Sequence, residues 1–440
     1  MRLIRSMAML AVMLLPLEAA AQITIKITQG VDSAIPVAVA PFGWSGTADQ
    51  PPVDIAAVIA ADLARSGQFK AMPAADMPQL PVNFADIRFQ DWQRLKMENL
   101  LIGQLKQTAP GQFAVEFRLV DVFAGSQLIG FRVPATSTNL RLAAHHIADL
   151  VYEQLTGAKG AFATRIAYVT VNRGPDRKAR FRLQLADADG YNARTLLDSV
   201  QPIMSPAWSP DGDRIAYVSF EQRNSAIYLQ EIRTGARQVV ASGPGINSSP
   251  AFSPDGRLLA MTLSGARGNP DIHVRDLATG RTRRLTTSPA IDTEAEWAPD
   301  GRSIYFTSDR GGGPQIYRVA LDGGRPQRVT FDKGNYNARP RLSPDGRKLA
   351  MVTSSGRGYQ IGLLDLESDI MDVLTDARLD ESPSFAPNGQ LLIYTTRGRL
   401  GKELAATSTD GKVRQRLALQ RGEVREPAWG PFRPQAAGPR

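Results

Sequence analysis

The 440-residue chain has no cysteine. That one absence removes disulfides, thiolate nucleophiles, cysteine-ligated zinc and lipid attachment at a lipobox. Histidine is almost missing too: His145, His146 and His273 are the full set, and none stands at the His-x-x-x-His spacing of a helical zinc site. There is no Gly-x-Ser-x-Gly elbow, Gly43-Trp-Ser-Gly46 having the wrong spacing, and no Gly-x-x-x-x-Gly-Lys-Ser/Thr phosphate loop. The motifs of serine hydrolases, which some propellers accompany, and of P-loop enzymes are therefore lacking. Past the first 21 residues no apolar run approaches the roughly 20 residues of a membrane span, so no direct membrane insertion is expected of the mature chain. Although the formal net charge is +9, no Lys/Arg block or aromatic-interleaved basic stripe concentrates it, which argues against nucleic acid.

The first 21 residues read as a secretory signal peptide: Arg2 and Arg5, the apolar run Met7 to Leu17, then Ala19-Ala-Ala21. Cleavage after Ala21 leaves Gln22 first and takes the net charge to +9 − 2 + 1 = +8.

The second half is a repeat. Pro206-Ala-Trp-Ser-Pro-Asp-Gly212 returns as Pro250-Ala-Phe-Ser-Pro-Asp-Gly256, Glu294-Ala-Glu-Trp-Ala-Pro-Asp-Gly301, Pro340-Arg-Leu-Ser-Pro-Asp-Gly346, Pro383-Ser-Phe-Ala-Pro-Asn-Gly389 and the truncated Pro427-Ala-Trp-Gly-Pro431. From Trp208 through Phe252, Trp297, Leu342 and Phe385 to Trp429 the steps are 44, 45, 45, 43 and 44 residues, the period of a WD40-like propeller blade of four strands. Each aromatic or Leu belongs on a short inner strand, and Pro-Asp-Gly then reverses the chain into an apolar run such as Ile215-Ala-Tyr-Val218. The first such run, Ile166-Ala-Tyr-Val169, has no inner strand before it, and the last inner strand, Glu426 to Phe432, has nothing after it. The two complete one blade, which predicts a six-bladed propeller over 161–432 closed by its C-terminal strand.

Residues 22–160 do not repeat. Ile35 to Ala40, Asn99 to Gly103 and Phe113 to Val120 read as strands; Asp54 to Ser66 and Leu140 to Leu155 read as helices stopped by Gly67 and Gly157. This predicts an α/β domain. Its first segment, Gln22-Ile-Thr-Ile-Lys-Ile-Thr28, alternates as a strand without declaring its pairing partner. Residues 433–440, rich in Pro, Gly and Ala, read as a disordered tail.

Catalytic apparatus is thin. The histidines read as packing residues, and a lone Asp per Pro-Asp-Gly turn offers too few oxygens for calcium. A cation in the channel would need carboxylates such as Asp292, Asp380 and Glu381 to converge. No cofactor or metal is expected. What remains is surface. The segments entering the inner strands lie on one rim of the channel and are polar and varied: Gly245-Ile-Asn-Ser-Ser249, Ile291-Asp-Thr-Glu294, Asn335-Tyr-Asn-Ala-Arg339, Leu379-Asp-Glu-Ser382 and Val424-Arg-Glu426. They offer a protein partner donors, acceptors and an aromatic anchor. Two other readings remain open. A propeller enzyme working in the channel would need a charged catalytic cluster. A module binding peptidoglycan or other carbohydrate would need exposed tryptophans, yet only Trp44 and Trp92 are not assigned to blade packing.

Gln29-Gly-Val-Asp-Ser33 followed by Ile35-Pro-Val-Ala-Val-Ala-Pro-Phe42, the Pro-Ala-Phe-Ser-Pro-Asp-Gly repeats and Asp292-Thr-Glu-Ala-Glu-Trp297 together closely resemble the TolB family of the Tol-Pal system of Gram-negative bacteria. The likeness spans the chain beyond the signal peptide. It implies a periplasmic, non-enzymatic adaptor, monomeric by itself, that supports outer-membrane integrity and constriction at division. It implies binding of the peptidoglycan-associated lipoprotein Pal on the propeller rim and of TolA through the mature N-terminal segment. By that resemblance Asp292-Thr293-Glu294 best matches a Pal-contact segment and Ile246-Asn247 holds the equivalent place one blade earlier, Ile246 standing where a polar residue is expected; with Ser248, Asn337, Arg339, Asp380, Glu381 and Glu426 of the rim segments they make up the expected Pal-binding rim. The TolA segment would comprise Gln22, Ile23, Thr24, Ile25, Lys26, Ile27 and Thr28.

Overall fold

The computed structural model describes residues 34–174, 178–265, 268–356, 358–398, 401–419 and 422–433, together with the backbone of 23–29. The signal peptide, Gln22 and residues 434–440 of the tail lie outside the described residues.

The N-terminal domain is a six-stranded sheet with helices on its faces. β1 (Ile23–Gln29) belongs elsewhere; the sheet order is β4 (Phe69–Ala71), β2 (Ile35–Val39), β5 (Asn99–Ala109), β6 (Gln112–Asp121) and β7 (Ser126–Thr136), with β3 (Gly43–Ser45) also on β5. Alternation along β5 sorts the cores. Leu101 and Leu105 pack with α1 (Ile55–Ser66) and α3 (Leu140–Thr156), whereas Leu100 and Ile102 meet Trp92 of the short α2 (Phe89–Arg94) on the other face. Helix α1 starts where the Asp54 side chain accepts the Ala57 N–H at 2.9 Å. It ends at Gly67 with φ 73°, where a Cβ would also meet the Val413 side chain at 2.2 Å, so glycine is needed for both the turn and the close approach of the two domains.

From Arg165 onward the described residues form six four-stranded blades. In the first, the C-terminal strand Glu423–Trp429 pairs antiparallel with Arg165–Arg173, Trp429 opposite Ile166, as the strand count requires. The Pro-Asp-Gly turns work as expected: Ser209 Oγ donates to Asp211, the same carboxylate accepts the Asp213 N–H at 3.0 Å, and Gly212 takes φ 73°. The tryptophans tie neighbouring blades together. Trp208 Nε1 donates to the Ala428 carbonyl at 3.0 Å and Trp297 Nε1 to that of Ala251 at 3.0 Å. Arg433, assigned to the tail on composition, instead pairs with Asp187 at 2.6 Å, a carboxylate partner that composition does not report.

β1 adds a fifth strand to blade 6. It pairs antiparallel with the outer strand Arg414–Leu419, Ile25 opposite Leu417 and Ile27 opposite Gln415. No helix among the described residues is long and apolar enough to cross a membrane.

Candidate functional site

Each propeller face is set by strand direction. The Pro-Asp-Gly turns and the turns leading to the outer strands share one face, and there the N-terminal domain sits: Asn388 Nδ2 donates to the Lys159 carbonyl at 2.9 Å, Arg65 Nη1 to that of Ala188 at 2.7 Å, and Gln415 Nε2 to that of Arg65. The opposite face, where segments enter the inner strands, is left open.

Every inner strand carries a bulge at one level of the channel. Ser205, Ser249, Glu294, Arg339, Ser382 and Glu426 have φ between 50 and 58°, and each lies where the pairing register shifts. Five are followed by proline, which cannot donate to the ladder and so confines the irregularity to that spot. These residues line a small cavity of about 40 Å³, room for a few waters. The group is wired together across blades. Arg339 Nε reaches Glu294 at 2.9 Å and its backbone N–H the other Glu294 oxygen at 2.9 Å, while its guanidinium meets Ser382 Oγ and approaches Glu426 at 3.8 Å. Glu426 in turn accepts the Ser205 N–H at 2.7 Å. Burial opposes the Arg339 charge, but Glu426, Glu294 and Glu381 outweigh it and hold the guanidinium above its ordinary range. Glu294, Arg339 and Glu426 therefore occupy the channel interior, one layer below the rim to which the sequence reading assigned them; the bulge turns them inward.

A second correction concerns the residues entering each inner strand. Asn247, Asp292, Asn337 and Asp380 are at most 4% exposed. Asn247 Nδ2 holds the Ser225 carbonyl at 2.9 Å, Asn337 Nδ2 holds Gln315 at 2.9 Å, and both Asp292 oxygens accept from Arg310, at 2.8 and 2.7 Å. Burial pushes the Asp380 carboxyl above its ordinary range. The Asn247, Asp292 and Asn337 side chains thus peg the rim loops, and that of Asp380 is buried rather than on the open surface. Asp292 is matched by Arg310 and Glu381 by Lys402, so the three channel carboxylates do not converge on a cation site.

The exposed rim is more apolar than its sequence suggested. Ile246 and Ile291 are 46 and 48% exposed, Ser248 and Thr293 half-buried beside them. Val200, Met204, Phe331 and Tyr359 are exposed on the same face, and Tyr359 meets Tyr336 edge-on with ring centroids 5.1 Å apart. Sequence reasoning missed Tyr359 because it followed only the segments entering inner strands; the turn between the second and third strands of a blade reaches the same face. Trp92 is fully buried, and the half-buried Trp44 stacks on Phe113 with ring centroids 6.3 Å apart.

The histidines also differ in role. His145 is buried at the domain joint, its Nδ1 2.5 Å from Asp62 and its Nε2 3.7 Å from Asp189 of the propeller. One ligand atom from each of Asp62, His145 and Asp189 lies within 4.8 Å of the others, a compact cluster joining the two domains. Nearby on α3, Asp149 accepts the N–H groups of Phe162 at 2.7 Å and Ala163 at 3.2 Å and so fastens the interdomain linker. Burial, offset in part by those bonds, pushes its carboxyl up to about 7. The folded chain thus keeps a proton that the unfolded chain releases near pH 4; this stabilisation is full below that pH and lost as pH rises through 7, on the order of 4 kcal/mol. Asp149→Asn is expected to flatten the pH dependence of urea unfolding between pH 5 and 8; an unchanged slope would remove Asp149 as its source.

A six-bladed propeller closed by its last strand, with an α/β domain seated on one face and an apolar-rimmed channel mouth on the other, defines a two-domain propeller scaffold. Residues 23–128 match the TolB amino-terminal domain and residues 152–433 the TolB beta propeller domain. The chain is 54% identical over 432 residues, 98% of both chains, to the Tol-Pal system protein TolB of Thioalkalivibrio sulfidiphilus (strain HL-EbGR7). It is 49% identical over 435 residues, again 98% of both, to that of Xanthomonas oryzae pv. oryzae (strain MAFF 311018). The crystal structure of TolB from Acinetobacter baumannii superposes with a TM-score of 0.86 at 42% identity, covering 93% of this chain and 100% of that one. The chain belongs to the TolB family.

Proposed function

We propose that the chain is a non-enzymatic adaptor of the Tol-Pal complex in the periplasm, binding Pal through the open propeller face and TolA through its N-terminal segment, and so supporting envelope integrity and constriction. The observation that carries the reading is the exposed apolar rim of Val200, Met204, Ile246, Ile291, Phe331 and Tyr359 around a channel mouth that the N-terminal domain leaves free. Apolar side chains from several blades set round one mouth offer a protein partner anchors, with Thr293, Ser248 and Glu381 as polar neighbours. The pairing of β1 with an outer edge strand supports the second half, since a segment able to extend one sheet edge can extend another. Ile23, Thr24, Ile25, Lys26, Ile27 and Thr28 would carry TolA in that way, with Gln22 ahead of them.

Calorimetric titration with the soluble domain of Pal is the test. Ile246→Asp with Ile291→Asp should weaken binding by at least tenfold and leave the melting temperature within a few degrees, because both side chains already face water. Equal affinity of parent and variant would move the site off this rim; absence of binding by the parent would remove Pal as the partner.

A further inference from the structure

The domain joint holds an unusual arrangement of charge. Asp62 and Arg65 come from α1, Arg141, His145 and Asp149 from α3, and Asp189 from a turn of blade 1. Arg65 pairs with Asp62 at 2.9 Å and Arg141 with Asp189, which cancels two positive charges against two negative ones. Burial pushes Asp189 up, but Arg65, His145 and Arg141 together hold it below the ordinary range, so it stays ionised. Two groups remain without a formal counter-charge, the His145 ring and the Asp149 carboxyl. His145 Nε2 is buried without a hydrogen-bond partner and lies 3.7 Å from Asp189. One proton, on the ring or on Asp149, makes the joint neutral. Without it a net negative charge is left in a largely buried joint, where an uncompensated charge is costly.

We propose that Asp62, His145, Asp149 and Asp189 form a proton-operated clasp that closes the N-terminal domain onto the propeller while it holds one proton and opens to water when that proton is lost. His145 lies between a carboxylate of each domain, Asp62 and Asp189. The closed joint binds the proton more tightly than the open one, so rising pH favours opening. Opening also has a consequence at the other edge of α1. Gln415 of the strand that pairs with β1 donates to the Arg65 carbonyl, so withdrawal of α1 removes a contact beside the docked N-terminal segment. The clasp itself needs no partner, and its test is independent of Pal and TolA.

The absence of cysteine makes the test direct. Fluorophores placed at Gln127→Cys and Arg233→Cys, exposed sites one on each domain, report the interdomain distance in the full chain. Between pH 6 and pH 8.5 the open population is expected to rise at least tenfold. Asp149→Asn leaves the joint neutral without the proton and should stay closed at pH 8.5; adding His145→Gln should make the distance independent of pH. A parent distance that does not change over this range overturns the proposal, and so does an Asp149→Asn chain that opens as the parent does. If the double variant fails to fold by circular dichroism, the Asp149→Asn comparison decides alone.

Discussion

Deleting residues from Glu423 onward is expected to abolish the cooperative unfolding of the propeller, not to trim one strand from it. The segment supplies the inner strand of the first blade, and without it Arg165–Arg173 becomes a bare edge. Blade 2 loses the acceptor of the Trp208 indole, the Ser205 N–H loses Glu426, and the buried Val424 and half-buried Trp429 leave the seam between blades 1 and 6. A ring whose blades support one another through such contacts opens as a unit, so the loss is comparable to the whole stability of a domain, roughly 5–15 kcal/mol. Calorimetry of the truncated chain should show no propeller transition, whereas a chain ending after Arg433 should melt as the parent does. A truncated chain with an unchanged transition would mean that closure contributes little.

The second large effect is expected at Arg339. Its guanidinium is the shared partner of Glu294 and Glu426 inside the channel, so Arg339→Met leaves both carboxylates without their cation. Breaking a buried pair in this way costs about 3–5 kcal/mol, because the remaining charge is left uncompensated. Urea unfolding measures it. Adding Glu294→Gln and Glu426→Gln should recover at least half of the loss; no recovery would show that packing of the arginine stem, and not its charge, is what the channel needs. Arg339→Lys should recover little, since an ammonium cannot reproduce the fork that meets Glu294 and Ser382 together.

Much of the architecture was legible in the sequence because it repeats. Spacing of Trp208, Phe252, Trp297, Leu342, Phe385 and Trp429 implied the blades, and the unmatched strands at Ile166 and Trp429 implied how the ring closes. In the N-terminal domain the periodicity from Asp54 and the Gly67 stop placed α1 to within one residue, Asp54 proving to be its cap, since both are local effects of backbone geometry. The candidate site was legible only in outline. Polar residues before each inner strand suggested a rim, yet polarity does not distinguish a side chain that meets a partner from one that pegs its own loop. Asn247, Asp292 and Asn337 are of the second kind, and Ile246, which stands where a polar residue was expected, is 46% exposed.

By itself, then, the sequence determined the blade count and the closure, which follow from periodicity, while the resemblance of its motifs pointed to the family. Tertiary structure decided which side chains face inward at the six bulges, which face of the propeller the N-terminal domain covers, where β1 docks, and that His145 meets Asp62 and Asp189. Those outcomes depend on left-handed residues within strands and on contacts between segments far apart in the chain, Asp62 with His145 and Gln415 with Arg65, whose meeting no local pattern records.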